Sequence, residues 1–409
     1  MRGLGLAAAL AASMAFSASA QISGFQSKFD QALSQHGVIG GGFAFVHGRD
    51  APVEYVFGRQ KLDGAKLDAE TAYNWASITK TFTAIAILQL RDHGKLSLDD
   101  AVTAYLPELR QVHDAYGPVD AITIRHLLTH SAGFRNPTWP WDCDDAESCD
   151  WQPFEPTKWE QLAAMLPYTH VAFAPGSRWS YSNPGFVFLG QIIERLTGDD
   201  FEVYVDKNIL KPLEMTHSYF DRAPYFLEPH LSASYLRAGA KLTPQPFNYD
   251  TGLTVSNSGL KAPIADMVKY LRFLVGDEKN PLYDIVLKRR SLEEMWTGLV
   301  KIEDPVPTVY TAPIGGAAPM MGLGFFTAAP QGHAYVYHDG DQAGFSSELM
   351  IDPSGHSAAI LSVNTTDTGE LPAQDALHAQ SNTDPDPKTD LRLALRTVLV
   401  GEVFPRYAK

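Results

Sequence analysis

Strand patterns at the two ends of this 409-residue chain enclose a middle part with helical patterns. Near the start, two short apolar runs predict a pair of strands joined by the turn Gly48-Arg49-Asp50. The predicted strands lie at 40–47, 53–57, 334–337, 346–351 and 358–363, and the predicted helices at 25–36, 122–129, 158–166, 184–197, 200–209 and 389–400. This order predicts an α/β (α+β) fold, with an antiparallel sheet flanked by helices and a mostly helical insertion.

The chain is long enough for a large core and two domains. We place a discontinuous sheet-containing domain at 21–105 and 255–409, and a mostly helical inserted domain at 106–254. The polar stretch 365–388 contains two Asp-Pro steps and predicts a surface loop.

The first twenty residues have the composition of a cleaved signal peptide. Met1-Arg2 supplies a short positive start, Leu4–Phe16 is mostly Leu and Ala, and Ala18-Ser19-Ala20 fits a cleavage site. The apolar run is too short for a membrane span, and no later stretch is apolar enough to cross a bilayer. The alternative is a buried N-terminal helix. A leader at 1–20 implies a periplasmic or secreted protein.

The net charge of −14 argues against nucleic acid and anionic membranes as partners. The two cysteines, Cys143 and Cys149, are predicted to form a short-loop disulfide, because an exported chain meets an oxidising compartment. Two free thiols or a metal site are the alternatives. No His-Glu-x-x-His or other metal spacing occurs among the 13 histidines, so no metal site is predicted.

Four of the seven tryptophans fall between residues 135 and 160, together with both cysteines. A long, irregular aromatic loop of this kind is either functional or a satellite core. We interpret this segment as facing the substrate. Its tryptophans are Trp139, Trp141, Trp151 and Trp159.

Ser77-Ile78-Thr79-Lys80 opens an apolar helical run that continues to Leu90. Residues three apart share a helix face, so the Lys80 ammonium can reach the Ser77 hydroxyl. A serine is a weak nucleophile unless a base stands beside it, and a buried lysine can lose its proton and become that base. The same pattern recurs at Ser258-Gly259-Leu260-Lys261, where Gly259 and Pro263 argue against a well-formed helical turn.

Two further groups of residues have chemistry that would complement this serine. Tyr181-Ser182-Asn183 precedes an apolar helix, and a phenol beside a cationic lysine can take and return protons. His338-Asp339-Gly340-Asp341 follows a predicted strand, where a small residue would let a substrate lie against the strand edge. Taken singly, each is weak: the tyrosine could be buried near a helix cap, and the histidine could be structural.

The order Ser-x-x-Lys, Tyr-x-Asn, His-x-Gly resembles that of the class C β-lactamase-like serine hydrolases. Intervening segments strengthen the resemblance over roughly residues 25–365. They are Gly94-Lys95-Leu96-Ser97-Leu98-Asp99-Asp100, Ile124 to Gly133, Pro175-Gly176 and Gly322-Leu323-Gly324. The family includes class C β-lactamases, D-Ala-D-Ala carboxypeptidases, D-aminopeptidases and β-lactamase-fold esterases. The resemblance implies a β-lactamase/transpeptidase-like fold and a small-molecule ester, amide or peptide substrate.

The resemblance also implies a role for each matched residue. Ser77 would be acylated, and Lys80 and Tyr181 would share the general base and acid work. Asn183 would orient Lys80 and the substrate. His338 would stand where the lactamases have a lysine, with Gly340 after it. The backbone N–H groups of Ser77 and Asp341 would form the oxyanion hole, and no metal or organic cofactor is implied.

One departure from the family concerns the third motif, where Asp339 and Asp341 flank the glycine. Like charges would oppose a substrate carboxylate, which favours esters, or amides with a free amine. Asp339 could instead point away from the site. A rival hydrolase motif, the approximate elbow at Gly355-His356-Ser357, is disfavoured because a strand is predicted after it. A binding or sensor module without turnover is the non-enzyme alternative.

Overall fold

A computed structural model describes residues 22–134, 156–248, 250–276, 279–303, 308–342, 344–367 and 390–407. The predicted signal peptide, the Cys143–Cys149 disulfide and the tryptophans 139, 141 and 151 lie outside the described residues.

Strands from both ends of the chain form one antiparallel sheet, as the sequence predicts. In chain order the strands of the described residues are β1 (Gly40–His47), β2 (Val53–Gly58), β3 (Ala72–Asn74), β4 (Tyr219–Phe220), β5 (Ser234–Ala238), β6 (Lys241–Gln245), β7 (Leu260–Pro263), β8 (Val300–Lys301), β9 (Met320–Met321), β10 (Phe326–Ala328), β11 (Tyr335–Gln342), β12 (Phe345–Asp352), β13 (Ser357–Val363) and β14 (Thr365–Asp367). Within the described part of the chain, eight of these form the main sheet in the order β2-β1-β13-β12-β11-β10-β9-β8.

The two faces of this sheet pack against different parts of the chain because successive side chains of a strand point to opposite faces. Ala44 and Leu349 belong to the core that also contains the middle helices. Phe43 and Met350, each one residue away, belong to a second core built with the terminal helices. The strand register supports this division, since Phe43 pairs with Leu361 and Ala44 with Ile360 across β1 and β13.

The helices fill both sides of the sheet. In chain order those of the described residues are α1 (22–35), α2 (Thr79–Asp92), α3 (Ile124–Leu128), α4 (Trp159–Ala163), α5 (Asn183–Thr197), α6 (Phe201–Val205), α7 (Val255–Ser258), α8 (Ile264–Leu274), α9 (Leu282–Ile285), α10 (Arg289–Met295) and α11 (Leu391–Val398). Helix α2 is buried from Thr79 to Leu90. A helix that is buried on every side belongs in the middle of a core, and α5 and α7 pack against it.

The α/β (α+β) prediction is confirmed, with local corrections. The middle segment also contains the β5–β6 hairpin, whose strand β5 pairs in parallel with β14. Residues 365–367 of the predicted surface loop 365–388 form this strand β14. Strand β11 continues to Gln342, five residues beyond the predicted end. Strand β6 and the end of β11 were hidden because their residues are largely polar, so they show no apolar alternation. The boundaries of the two domains stay a prediction, and one hydrophobic core joins residues of both.

No helix in the described ranges combines the length and apolar character needed to cross a membrane.

Candidate active site

The nucleophile segment begins where the short strand β3 ends. Trp75 leads into a short 3₁₀ turn, Ala76–Ile78, and α2 follows directly at Thr79. Ala76 has a φ of 47°, a conformation that a residue with a side chain adopts only under local strain. Its N–H donates to Asn74 Oδ1 at 2.8 Å, which holds this backbone in place. The serine that follows, Ser77, is therefore presented at the beginning of a rigid buried helix.

Lys80 lies one turn later, and its Nζ is 3.1 Å from Ser77 Oγ. The same Nζ lies 2.6 Å from Asn183 Oδ1 and 3.0 Å from the carbonyl oxygen of Asn257. Lys80 is completely buried, and this burial holds its pKa well below the usual lysine value. A neutral amine has two N–H bonds for the two oxygen acceptors. Its lone pair then remains for the proton of Ser77.

The Tyr181-Ser182-Asn183 motif lies at the beginning of helix α5. Ser182 is the N-cap, and its Oγ accepts a hydrogen bond from the N–H of Gly185 at 3.1 Å. This cap fixes where the helix begins and so places Asn183 against Lys80. The Tyr181 ring lies 5.0 Å from Lys80 Nζ. The structure therefore brings Ser77, Lys80, Tyr181 and Asn183 together, as their motifs predict.

Strand β11 brings the third motif to the same place, because it packs directly on the 3₁₀ turn that carries Ser77. A Cβ on Gly340 would lie 2.4 Å from the carbonyl oxygen of Trp75 and 2.5 Å from Ser347 Oγ. Any larger residue would push the strand away from the nucleophile. Gly340 is thus required for packing, and this reason differs from the room for substrate that we expected.

His338 is buried beside this glycine. Its Nδ1 lies 2.7 Å from the carbonyl oxygen of Asp339. A carbonyl only accepts, so Nδ1 carries the ring proton and Nε2 presents a lone pair. Burial is the main cause that lowers the pKa of His338 to about 3. The position that resembles a lactamase lysine therefore holds a neutral imidazole.

The two aspartates of this motif point away from the catalytic groups, so the predicted like-charge repulsion is wrong. Asp339 is buried and pairs with Arg396 Nη2 at 2.7 Å. Asp341 pairs with Arg392 Nη1, also at 2.7 Å. Both arginines belong to helix α11 on the other side of the sheet. The period of two along β11 separates the aspartates from His338 and Gly340.

The backbone of Asp341 remains a candidate for the oxyanion hole. Gln342 pairs with Phe345 and Gly340 pairs with Ser347, and hydrogen-bonded pairs alternate along an antiparallel ladder. Asp341 pairs with Ser346 between these two pairs, so its N–H faces the opposite edge of β11 from those of Gly340 and Gln342. The role of the Ser77 and Asp341 amides stays a prediction.

Two aromatic residues at the site were not singled out from the sequence. His130 is buried, its Nδ1 accepts from the N–H of Ser182 at 3.1 Å, and its ring lies 4.4 Å from that of Tyr181. Burial holds its pKa well below the usual histidine value. Tyr310 stacks on Tyr181 with ring centres 5.4 Å apart. His130 lies inside the 124–133 segment that carries the family resemblance, whereas no sequence signal marks Tyr310.

The two rival serine motifs have other structures. Ser258 ends helix α7 and Lys261 lies in strand β7, so they do not share a helical turn, as Gly259 and Pro263 suggested. Ser357 begins strand β13 rather than a helix, and its Oγ donates to the carbonyl oxygen of Gly355 at 2.9 Å. The rival elbow therefore lacks its strand-to-helix turn.

In the part of the chain that the structure describes, no three His, Cys, Asp or Glu side chains are grouped so that they could hold a metal ion. The candidate catalytic side chains described above are a hydroxyl, an amine, a phenol and an imidazole. Each can act in proton transfer or nucleophilic attack without a bound ion.

Comparison with known proteins assigns the family. The family model described as Beta-lactamase matches residues 25–383. Protein flp of Staphylococcus aureus (strain COL) is 24% identical over 311 residues, which are 75% of this chain and 56% of that protein. Esterase EstB of Burkholderia gladioli is 32% identical over 241 residues, 56% of this chain and 57% of the esterase. The chain thus spans just over half the length of these curated relatives.

A solved structure agrees with this assignment. The octameric penicillin-binding protein homologue from Pyrococcus abyssi superimposes with a TM-score of 0.70 and 25% sequence identity. The match covers 91% of this chain and 80% of the archaeal one. With a family model that spans most of its length and a shared fold, this chain belongs to the Beta-lactamase family.

Proposed function

We propose that this protein is a serine hydrolase that cleaves esters or amides through an acyl-enzyme on Ser77. The observation that carries the proposal is the contact between Ser77 Oγ and the Nζ of Lys80 at 3.1 Å. The lysine is buried, and burial holds its pKa well below the usual value, which favours the neutral amine that can act as a base. A serine next to such a base is an activated nucleophile.

The proposed reaction begins when Ser77 Oγ attacks the substrate carbonyl and its proton moves to Lys80 Nζ. The N–H groups of Ser77 and Asp341 donate to the developing oxyanion. The proton then passes through Lys80 and Tyr181 to the leaving group, and the carbon–heteroatom bond breaks to leave the acyl-enzyme. Water attacks the acyl group by the same route in reverse and releases the acid and free Ser77.

Within this class we propose a β-lactamase-fold esterase. His338 supplies a lone pair rather than a positive charge, so the third motif offers no cation of its own for a substrate carboxylate. The similarity to esterase EstB points the same way. The alternatives are a D-Ala-D-Ala carboxypeptidase or D-aminopeptidase, a class C-like β-lactamase, and an acylatable sensor. The proposal of an esterase therefore depends on the absence of a positive charge at His338, and it does not depend on charge repulsion by Asp339.

A chromogenic short-chain ester tests the function. The wild type should hydrolyse it, and a serine-reactive phosphonate should add once, at Ser77. Ser77→Ala should lose both activities, and Ser258→Ala, the matched control, should keep them. Labelling of Ser77→Ala at full stoichiometry would exclude the proposed nucleophile.

The substrate class is tested by kcat/KM for the neutral ester and for a β-lactam. The wild type should prefer the ester, and His338→Lys should narrow the preference by adding a cation. A wild type that hydrolyses the β-lactam faster than the ester would overturn the esterase assignment and leave the hydrolase class intact.

We also propose that the protein is exported to the periplasm or secreted. The support is the composition of residues 1–20, with a cleavage site after Ala20. N-terminal sequencing of the mature protein should begin at Gln21. Thiol titration of the unfolded, unreduced protein should find no free thiol, because Cys143 and Cys149 would be joined; two free thiols would refute the disulfide.

A further inference from the structure

Tyr310 is the aromatic residue whose place in the site the proposed mechanism does not use. It lies in a tight turn in which the N–H of Thr308 donates to Thr311 Oγ1 at 2.7 Å and the N–H of Thr311 donates to the carbonyl oxygen of Thr308 at 3.2 Å. Its ring is almost parallel to that of Tyr181, with an interplanar angle of 22°. Offset stacking of this kind restricts both rings in position and tilt.

The hydroxyl of Tyr310 is tied to the strand that carries the third motif. It donates to Asp341 Oδ2 at 3.1 Å. The other carboxylate oxygen of Asp341 accepts from Ser346 Oγ at 2.7 Å. A carboxylate that is held at both oxygens is a fixed acceptor, so the Tyr310 ring has a defined orientation over Tyr181.

Arg392 of helix α11 pairs with the carboxylate of Asp341. Arg392 Nη1 lies 2.7 Å from Asp341 Oδ2, and Arg392 Nη2 lies 2.6 Å from Asp390 Oδ2. Arg392 is completely buried, so the surrounding protein screens this pair far less than water would. The pair therefore joins the C-terminal helix to β11 at the residue that contacts Tyr310.

The backbone of Tyr310 is held as firmly as its side chain. Tyr337 OH donates to the carbonyl oxygen of Tyr310 at 3.0 Å. Arg396 Nη1 donates to the carbonyl oxygen of the preceding residue, Val309, also at 3.0 Å. Tyr181, in contrast, lies outside any helix or strand, immediately before the N-cap of α5. A catalytic ring on irregular backbone depends on its neighbours for its position.

We propose that Tyr310 is a positioning residue for Tyr181, with Asp341 and Arg392 fixing Tyr310 in turn. Asp341 then has two separate roles, since its side chain orients Tyr310 while its backbone amide serves the oxyanion. The inference rests on the proposed function, because it assigns Tyr310 to the proton transfer that Tyr181 performs. This role would also explain why the buried guanidinium group of Arg392 in α11 pairs with a carboxylate of β11.

The test is a double-mutant cycle on ester hydrolysis with single-turnover acylation of Ser77 as the readout. Tyr310→Phe keeps the stacked ring and removes the tether, so acylation should slow by about 10-fold with little change in KM, because a small misplacement of a catalytic group costs rate rather than binding. In a Tyr181→Phe background the same substitution should have almost no effect, since the group that it positions is gone. Tyr283→Phe is the matched control. It removes a buried hydroxyl that donates to the carbonyl oxygens of Phe273 and Gly276, remote in sequence from every catalytic motif.

Equal losses with and without the Tyr181 hydroxyl would show that Tyr310 acts independently of Tyr181 and would overturn the inference, as would an unchanged rate for Tyr310→Phe. If Tyr310→Phe proves unstable, Asp341→Asn provides a second route, because it keeps an oxygen that can accept from Tyr310 and should be milder than Asp341→Ala. A wild type that neither hydrolyses the ester nor reacts with the phosphonate would contradict the proposed function, which is a different result from a labelled wild type with an indifferent Tyr310.

Discussion

The chain contains two Ser-x-x-Lys segments, and they adopt different local structures. Both lysines, Lys80 and Lys261, are completely buried, and burial lowers the pKa of each. Lys80 is one helical turn from Ser77 and contacts its hydroxyl at 3.1 Å. Ser258 ends a helix and donates to the carbonyl oxygen of Thr254 at 3.3 Å, while Lys261 lies in the strand that follows. The same four-letter pattern therefore brings its serine and its lysine into contact within one helical turn only at Ser77 and Lys80.

The two lysines have different surroundings. Burial lowers the pKa of Lys261 to about 8, and the negative charges of Asp221 and Asp250 partly offset this effect. The hydrogen-bond partners that the structure gives Lys80 are uncharged: the hydroxyl of Ser77, the side chain of Asn183 and the carbonyl of Asn257. Burial without a counter-charge is what makes a lysine a base at neutral pH. A lysine that acts as a base on a Ser-x-x-Lys serine therefore needs the helical spacing and also a buried position without a nearby carboxylate.

The largest expected effect separates the two serines. Ser77→Ala should lower kcat for ester hydrolysis by at least about 10⁴-fold, because the covalent step is lost. Ser258→Ala should stay within about twofold, because it removes only a local hydrogen bond to the backbone. Steady-state kinetics on the chromogenic ester measure both. Comparable losses in the two variants would mean that the second segment also belongs to the site.

Substitution of the two lysines should also affect kcat differently, with a smaller ratio than for the two serines. Lys80→Met should reduce kcat by about 10³-fold, the usual size of a general-base contribution. Lys261→Met should change kcat less than about threefold, since Lys261 is not within a helical turn of any catalytic serine. Circular dichroism spectra verify that both variants are folded. A large loss of kcat in a folded Lys261→Met protein would show that Lys261 also takes part in catalysis.

Both lysines should contribute to the pH dependence of the free energy of unfolding, because burial lowers the pKa of each. Between about 8 and 10.5 the unfolded chain keeps a proton on Lys261 that the folded chain lacks, so the free energy of unfolding rises with pH in this window. The rise is at most about 1.4 kcal/mol per pH unit for one group. Lys261→Met should remove it.

For Lys80 the free energy of unfolding should also rise with pH below about 10.5, because burial holds its folded pKa well below the usual value. Lys80→Met should therefore flatten the stability curve in this range. Urea unfolding of the three proteins across pH 7 to 10 measures the slopes. An unchanged slope in Lys80→Met would contradict the lowered pKa of Lys80.

The last expected effect concerns Gly259, which lies between Ser258 and Lys261 in the second segment. A Cβ on Gly259 would lie 2.8 Å from the carbonyl oxygen of Val255, so the backbone must shift to admit it. Gly259→Ala should destabilise the protein by about 1–3 kcal/mol, as overpacking does. Gly24→Ala is the control, since a Cβ there meets nothing within 4 Å and alanine favours the helix that contains it. Equal stabilities would show that the α7–β7 junction is not held by this contact.

Much of the fold could be predicted, because periods of two and of 3.6 residues mark the long apolar elements. The hairpin β5–β6 could not, since Lys241-Leu242-Thr243-Pro244-Gln245 is polar and contains a proline that is unusual inside strands. At the site, the three motifs predicted the catalytic set. The orientation of Asp339 could have been derived from alternation along β11, but its partner Arg396 lies 57 residues further along the chain.

Local sequence was enough to specify two parts of the site: the turn that sets Lys80 beside Ser77 and the cap at Ser182. These depend on spacing and on backbone geometry within a few residues. The lowered pKa of Lys80 depends on tertiary structure, because the lysine is buried beside Asn183 and Asn257, which are 103 and 177 residues away. Desolvation is a property of what surrounds a group, and distant segments of the chain supply those surroundings.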